Sequence, residues 1–233
     1  RPRGARGRPA TRARARGRTV RRVTLAVLCL AIAVAAAIQI VSGFGFALVS
    51  APLLVTVTDP VTSVSILAVL GTAISALALL TGREPLEVRR RECGLLLAWS
   101  APGIVAGALV VDRLPDDAVR AAIGVLVLAA LAQRHVLPGA RRGGGPVGLA
   151  AAGLTSGAMT TSTALNGPPL VLLLTARGVP PRATRDTLAV LFAVMGLAAV
   201  AALAAAGALQ LPTDTAALPV AALAGVLAGH RIF

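Results

Sequence analysis

Apolar residues along this chain come in continuous runs, not in alternation with polar ones. Residues 23–41, 61–80, 94–111, 118–132, 146–165, 188–209 and 216–229 are each almost unbroken. A helical crossing of a bilayer needs about 20 predominantly apolar residues. A membrane β-barrel would alternate apolar and polar positions instead. The pattern therefore predicts an all-α fold, a polytopic helical membrane protein. Two further apolar pieces, 44–58 and 169–175, are too short or too interrupted to read as full crossings.

Composition sharpens this picture. Of 233 residues, 56% are hydrophobic and only 14% charged, where a soluble domain carries about 25% charged residues. All 23 basic residues are arginine, and ten of them fall in residues 1–22. The absence of lysine excludes a phosphate-loop lysine and a Schiff-base lysine. The net charge of +14 belongs mainly to that tail. No aromatic residue accompanies its arginines and an apolar run follows directly, so the tail reads as a disordered cytoplasmic segment meeting anionic headgroups, not as a nucleic-acid binder. Residues 23–37 would also suit the core of a signal peptide, but the similar segments that follow argue for a span. Cys29 and Cys93 make no disulfide framework, and His135 and His230 have no ligand-like spacing, so no metal and no cofactor is expected.

Arginine placement predicts orientation. With residues 44–58 not crossing, the tail and the Arg-bearing loops 82–93 and 133–145 share the cytoplasmic side. Loop 176–186, with three arginines, then falls outside, against the rule.

Three blocks recur in order. "SAPLLV" (50–55) matches "GPPLVL" (167–172), pairing Pro52 with Pro169 at an offset of 117. "LAVL" recurs at 67–70 and 188–191, an offset of 121. "PGIVAGALVVDRL" (102–114) matches "PVAALAGVLAGHRI" (219–232). The expected organisation is a tail (1–22), a first transmembrane repeat (23–133), a Gly/Arg-rich linker (134–145) and a second repeat (146–233). The first block continues into a further helix and the second does not, so the second of two four-helix repeats is expected to be truncated, with a helix beyond Phe233.

Each repeat opens with an interrupted span. The interruptions are "QIVSGFGFALVSAP" (39–52) and "GLTSGAMTTSTALNGPP" (153–169). Irregular backbone at membrane depth must line a cavity or be buried in protein, because hydrocarbon cannot satisfy its polar groups. Glycines allow the turn, prolines suit the first turn of the restarted helix, and that helix offers free N–H groups to an anion. Paired broken helices from two repeats are a transporter design. The candidate substrate-binding residues are Gln39, Ser42, Gly43, Ser50 and Pro52 from the first break. The second break supplies Ser156, Gly157, Thr160, Thr161, Ser162, Thr163, Asn166, Gly167, Pro168 and Pro169. None carries a charge, which suits a small anion better than a bare cation. Any one Ser, Thr or Gly also fits helix packing. Asn166 reads as a site residue, since an amide is costly in lipid and the backbone is broken beside it. Phe44 and Phe46 read as packing or gating, Trp99 as a bilayer residue, and the arginines of 83–91 as topogenic.

The motifs "SGFGFALVSAPLLV", "SGAMTTSTALNGPPLVLLL" and "PGIVAGALVVDRLPDDAVRAAIGVLVLAALA" (102–132) resemble the sulfite exporter TauE/SafE family of membrane permeases, over most of residues 23–233. The resemblance implies two related four-helix halves and movement of small sulfur-containing or other organic anions. The expected partners are such an anion and the lipid bilayer, with a homo-oligomer left open and nucleic acid excluded. The alternatives are a non-transporting accessory or scaffold subunit, or a membrane enzyme. An enzyme would need His, Asp, Glu or Cys clustered at membrane depth, and the sequence offers none.

Overall fold

The computed structural model describes residues 8–82, 84–111, 113–136, 145–212 and 216–232. Most of the expected linker, and tail residues 1–7, lie outside them. The elements are α1 (Arg8–Ser42), α2 (Phe46–Leu54), α3 (Pro60–Thr81), α4 (Arg90–Val111), α5 (Asp116–Val136), α6 (Pro146–Ser162), α7 (Gly167–Ala176), α8 (Pro181–Ala205) and α9 (Ala217–Ile232). Among the described residues the fold is all-helical. Four helices among the described residues are long and apolar enough to cross a membrane: Val23–Ser42, Pro60–Thr81, Arg90–Val110 and Pro181–Ala205. α1 starts at Arg8, inside the stretch expected to be disordered. Arginine and alanine are good helix formers, so a helix nucleated in the apolar span propagates back through them.

The outer faces are greasy. On α1, Val23, Val27, Leu30, Val34 and Ile38 are exposed, whereas Ile32, Ala35, Ala36 and Ile40 are buried. Exposed apolar residues at three- and four-residue spacing form the stripe that a bilayer covers.

Side-chain contacts fix the direction of every helix. α1 runs from Thr24 at one end of the bundle, where Leu28 shares a cavity with Asp59 and Leu218. α2 then returns towards that end, because Leu54 and Val57 line the same cavity. α3 starts there, capped by Asp59, whose carboxylate accepts from Thr62 N at 2.8 Å. Burial pushes the Asp59 carboxyl up, but the hydrogen bonds around Thr62 outweigh it and hold the group below its ordinary value. α3 finishes at the other end, where Thr81 meets His230 of α9 at 2.5 Å.

At that second end the loop before α4 is tied to the start of α8. Asp186 accepts from Glu87 N and Thr187 from Arg89 N, both at 3.0 Å. Arg182 pairs with Glu84 at 2.6 Å and Glu87 at 3.4 Å. α4 runs back, and Arg120 near the start of α5 donates to the carbonyl of Val55.

This corrects the expected topology. Because α2 reverses the chain, the tail and loop 82–93 lie at opposite ends. Loop 176–186 shares the second end with loop 84–89 through Arg182, opposite the tail as expected, because α7 turns the chain a second time. A second difference concerns Pro52. It does not restart a helix; α2 begins at Phe46, and Pro52 lies in its last turn. A proline there removes one helical hydrogen bond, in keeping with the end of α2 at Leu54.

α6 lies parallel to α4, with Gly153 against Trp99 and Gly157 against Ser100. Thr161 Oγ1 donates to Ile104 O at 3.0 Å. α9 lies parallel to α1, with Gly225 against Ala33 and Gly229 against Ala37. α3 and α8 are antiparallel, with Gly196 against Thr72 and Thr62 donating to Gln210 at 3.0 Å. α1 and α6, the helices before the two breaks, therefore run in opposite directions.

Candidate functional site

Both breaks follow from local sequence. After Ser42, Gly43 and Gly45 adopt φ of 81° and 115°, left-handed values that glycine tolerates best. The Gly43 position also lacks room for a side chain, since a Cβ would sit 2.8 Å from Arg185 Cα. After α6 the reversal falls on Ala164, with φ of 59°. An alanine held there costs roughly 1–2 kcal/mol, and such strain persists where the surroundings enforce it.

The two breaks meet at one cavity of about 50 Å³. A single water needs about 10–15 Å³ by this measure, so the space suits an ion of a few heavy atoms. Gln39 of α1, Ala47 and Leu48 of α2, Thr160 of α6, Ala164 and Asn166 at the second break, and Gly167 and Pro168 of α7 all line it. So do Leu67, Ala68, Gly71 and Thr72 of α3, and Phe192 and Gly196 of α8. Among the described residues, no charged one is in the wall.

The buried polar groups are held in place. Gln39 Nε2 donates to Ser75 Oγ at 2.9 Å, and its Oε1 accepts from Phe46 N at 3.1 Å. One carboxamide thus joins α1 to α3 and caps α2. Asn166 Nδ2 donates to Thr160 Oγ1 at 3.0 Å, and Thr160 Oγ1 in turn donates to Ser156 O at 2.6 Å. Among the described residues, Asn166 Oδ1 has no protein partner.

The two restarted helices differ as donors. With Phe46 N taken by Gln39, the next free amides of α2 belong to Ala47 and Leu48, and both residues line the cavity. α7 opens Gly167-Pro168-Pro169, and proline has no N–H, so of those three residues only Gly167 offers a donor. α7 therefore lacks the row of backbone donors expected of it, whereas the residues beside the cavity in α2 keep theirs.

Five of the candidate residues, Gln39, Thr160, Asn166, Gly167 and Pro168, come together in the wall. The others lie elsewhere. Ser42 is exposed and donates to Ile38 O and Phe44 O at 2.8 and 2.5 Å. Gly43 makes the turn, and Pro52 sits in the last turn of α2. Ser162 and Thr163 donate back to Ala158 O and Met159 O, at 2.8 and 3.1 Å. Gly157 and Thr161 pack on α4, and Pro169 follows Pro168 into α7. Ser50 and Ser156 are buried with unpartnered hydroxyls, and neither lines the cavity. The α3 and α8 wall, and Ser75 behind Gln39, were missed. The repeated "LAVL" was the available signal, since Leu67 and Ala68 belong to its first copy.

The sulfite exporter TauE/SafE family model matches residues 28–233. The chain belongs to the sulfite exporter TauE/SafE family. No curated protein and no solved structure matches it. TauE/SafE proteins are membrane permeases, so this chain is a membrane transporter, and the cavity between its two breaks is the candidate substrate site. The matched region takes in α2 to α8 whole, with both interrupted segments and every residue named in the cavity wall.

Proposed function

We propose that this TauE/SafE permease carries a small anion, sulfite or another sulfur-containing or organic anion, across the cell (inner) membrane as a secondary transporter. The observation that carries the reading is the neutral cavity in which both backbone breaks meet. The free amides of α2, the Asn166 carboxamide and the partial positive charge at a helix start all favour a negative guest.

Two inverted halves, α1–α4 and α6–α9, would supply alternating access. Exchanging such halves would turn the α4–α6 contact into the α9–α1 contact and map α3–α8 onto itself, which supports the reading. It would also pair the two left-handed positions that follow α1 and α6, Gly43 and Ala164, which are 121 residues apart. Small movements of one half against the other would open the cavity to either end in turn.

Saturable flux of a labelled anion into proteoliposomes, absent for a monovalent cation, tests the reading. Asn166→Ala is expected to lower that flux about tenfold, the factor that one lost hydrogen bond to a charged guest is worth, with insertion unchanged. Unaltered flux in this variant would remove Asn166 from the site.

The ten arginines ahead of the first span favour a cytoplasmic N-terminus, since charge near the first helix usually dominates topology. In a background with Cys29 and Cys93 replaced by alanine, Val23→Cys should react with an impermeant thiol reagent only from the cytoplasm. Glu84→Cys should react only from outside. The reverse pattern would overturn the orientation alone, and labelling of both from one side would overturn the return of α2.

A further inference from the structure

We infer that the site accepts its guest as a protonated monoanion, hydrogen sulfite in place of the sulfite dianion, and rejects divalent oxyanions of the same size. The inference rests on the proposed anion transport and narrows it to a charge state.

Three observations carry it. The first is the inventory of the wall. α1, α2, α3, α6, α7 and α8 all contribute to the cavity, and among the contributed residues there is no Arg, His, Asp or Glu. Arg185 of α8 touches the break at Gly43 without lining the cavity. The cost of taking an ion out of water rises with the square of its charge, and a buried dianion needs a countercharge to repay it. Amide dipoles can replace the hydration of one negative charge, but this wall has no cation to meet a second.

The second observation is the presence of an acceptor. Asn166 points its Nδ2 at Thr160, which leaves Oδ1 without a protein partner in the cavity wall. Thr160 already donates to Ser156 O, so the orientation of the amide is fixed by its neighbours. A carbonyl oxygen repels a bare anionic oxygen. It is satisfied by a guest that brings its own O–H, as a protonated oxyanion does. The free amides of Ala47 and Leu48 would take the unprotonated oxygens of the same ion.

The third is rigidity. Gln39 and Thr160 are 7% and 4% exposed and each is held by two hydrogen bonds. The wall cannot easily rearrange to present a different set of groups.

Because no titratable side chain lines the cavity, the pH dependence of transport should be that of the substrate. Hydrogen sulfite loses its remaining proton around neutral pH. At fixed total sulfite, the initial flux into proteoliposomes should fall as pH rises through that transition, after subtraction of the leak into protein-free vesicles. Nitrate, a monoanion throughout the range, should move at a rate that does not change. Sulfate, divalent throughout, should be carried at least about tenfold more slowly than hydrogen sulfite. Sulfate flux equal to that of hydrogen sulfite would overturn the inference and leave the transporter standing. Sulfite and nitrate fluxes that fall together would also overturn it, because the protein would then be what titrates. No flux of any of the three would sink the inference, while saturable flux of a short sulfonate or carboxylate in the same vesicles would leave the proposed function standing.

Discussion

Gln39→Leu is expected to lower anion flux in proteoliposomes by roughly a hundredfold, the factor that about 3 kcal/mol represents. The reason lies in the two bonds of one buried carboxamide. Its oxygen accepts from Phe46 N and its nitrogen donates to Ser75 Oγ. Leucine fills similar space but leaves both partners unpaired, and an unsatisfied buried polar group costs about 1–3 kcal/mol. The loss falls on the start of α2, which holds the free amides of Ala47 and Leu48 in the cavity wall. Detergent-solubilised protein should still elute as a folded species, since the helix packing elsewhere is untouched. Gln39→Glu separates geometry from charge. It can still accept from Phe46 N, yet its carboxylate would stand in a wall that must admit an anion, so flux should fall as well. Wild-type flux in both variants would show that the first break does not hold the substrate.

The sequence shows the two breaks plainly because each breaks a strong rule. Glycines, hydroxyls and prolines interrupt hydrocarbon-length apolar runs, and such backbone needs a reason to exist at that depth. The breaks do meet, and Gln39, Thr160 and Asn166 reach one cavity. What the sequence conceals is which small polar residue faces which neighbour. Ser42, Ser162 and Thr163 satisfy themselves on carbonyls of their own helix or turn, a local option open to any Ser or Thr. Spacing cannot separate that choice from substrate contact. The same limit hides the α3 and α8 walls, where ordinary residues such as Ala68, Gly71 and Gly196 matter only through what packs opposite them.

Topology was lost for a different reason. α2 has nine residues, about 13 Å of helix, too short for a crossing by hydropathy alone. It nevertheless turns the chain round, because Gly43 and Gly45 reverse it after α1. A count of full-length apolar runs gives the wrong parity for the loops from 82 to 145, until α7 turns the chain round a second time. The Arg182 pairs to Glu84 and Glu87 restore it, and a contact between residues about a hundred positions apart is beyond any local pattern.

Gly157→Leu is expected to lose most of the folded protein, seen as a melting temperature lowered by ten degrees or more, on the order of 3 kcal/mol or above. A Cβ at this position would lie 2.9 Å from both Cα and the carbonyl carbon of Ser100. These are backbone atoms in the middle of α4, so nothing can swing aside as a side chain might. The neighbouring turns are equally close. A Cβ at Gly153 would come within 2.5 Å of Trp99 Cβ, and one at Gly103 within 2.8 Å of Ala158 N. Glycines four apart on each helix let the two backbones approach in the way small residues do in membranes. Leucine would force the helices apart and lift α6, with Thr160, away from the cavity. Gly124→Leu on α5 is the control, since nothing lies within 4 Å of its added Cβ, and it should melt as the wild type does. The seam joins α4 to α6, and Gly225 and Gly229 make the matching seam of α9 on α1. Both of these seams are therefore made by small residues over smooth backbone, a surface along which packed helices can shift without unlocking large side chains. Wild-type melting of Gly157→Leu would mean that α4 and α6 are not in backbone contact, and the wall that α6 provides would have to be placed elsewhere.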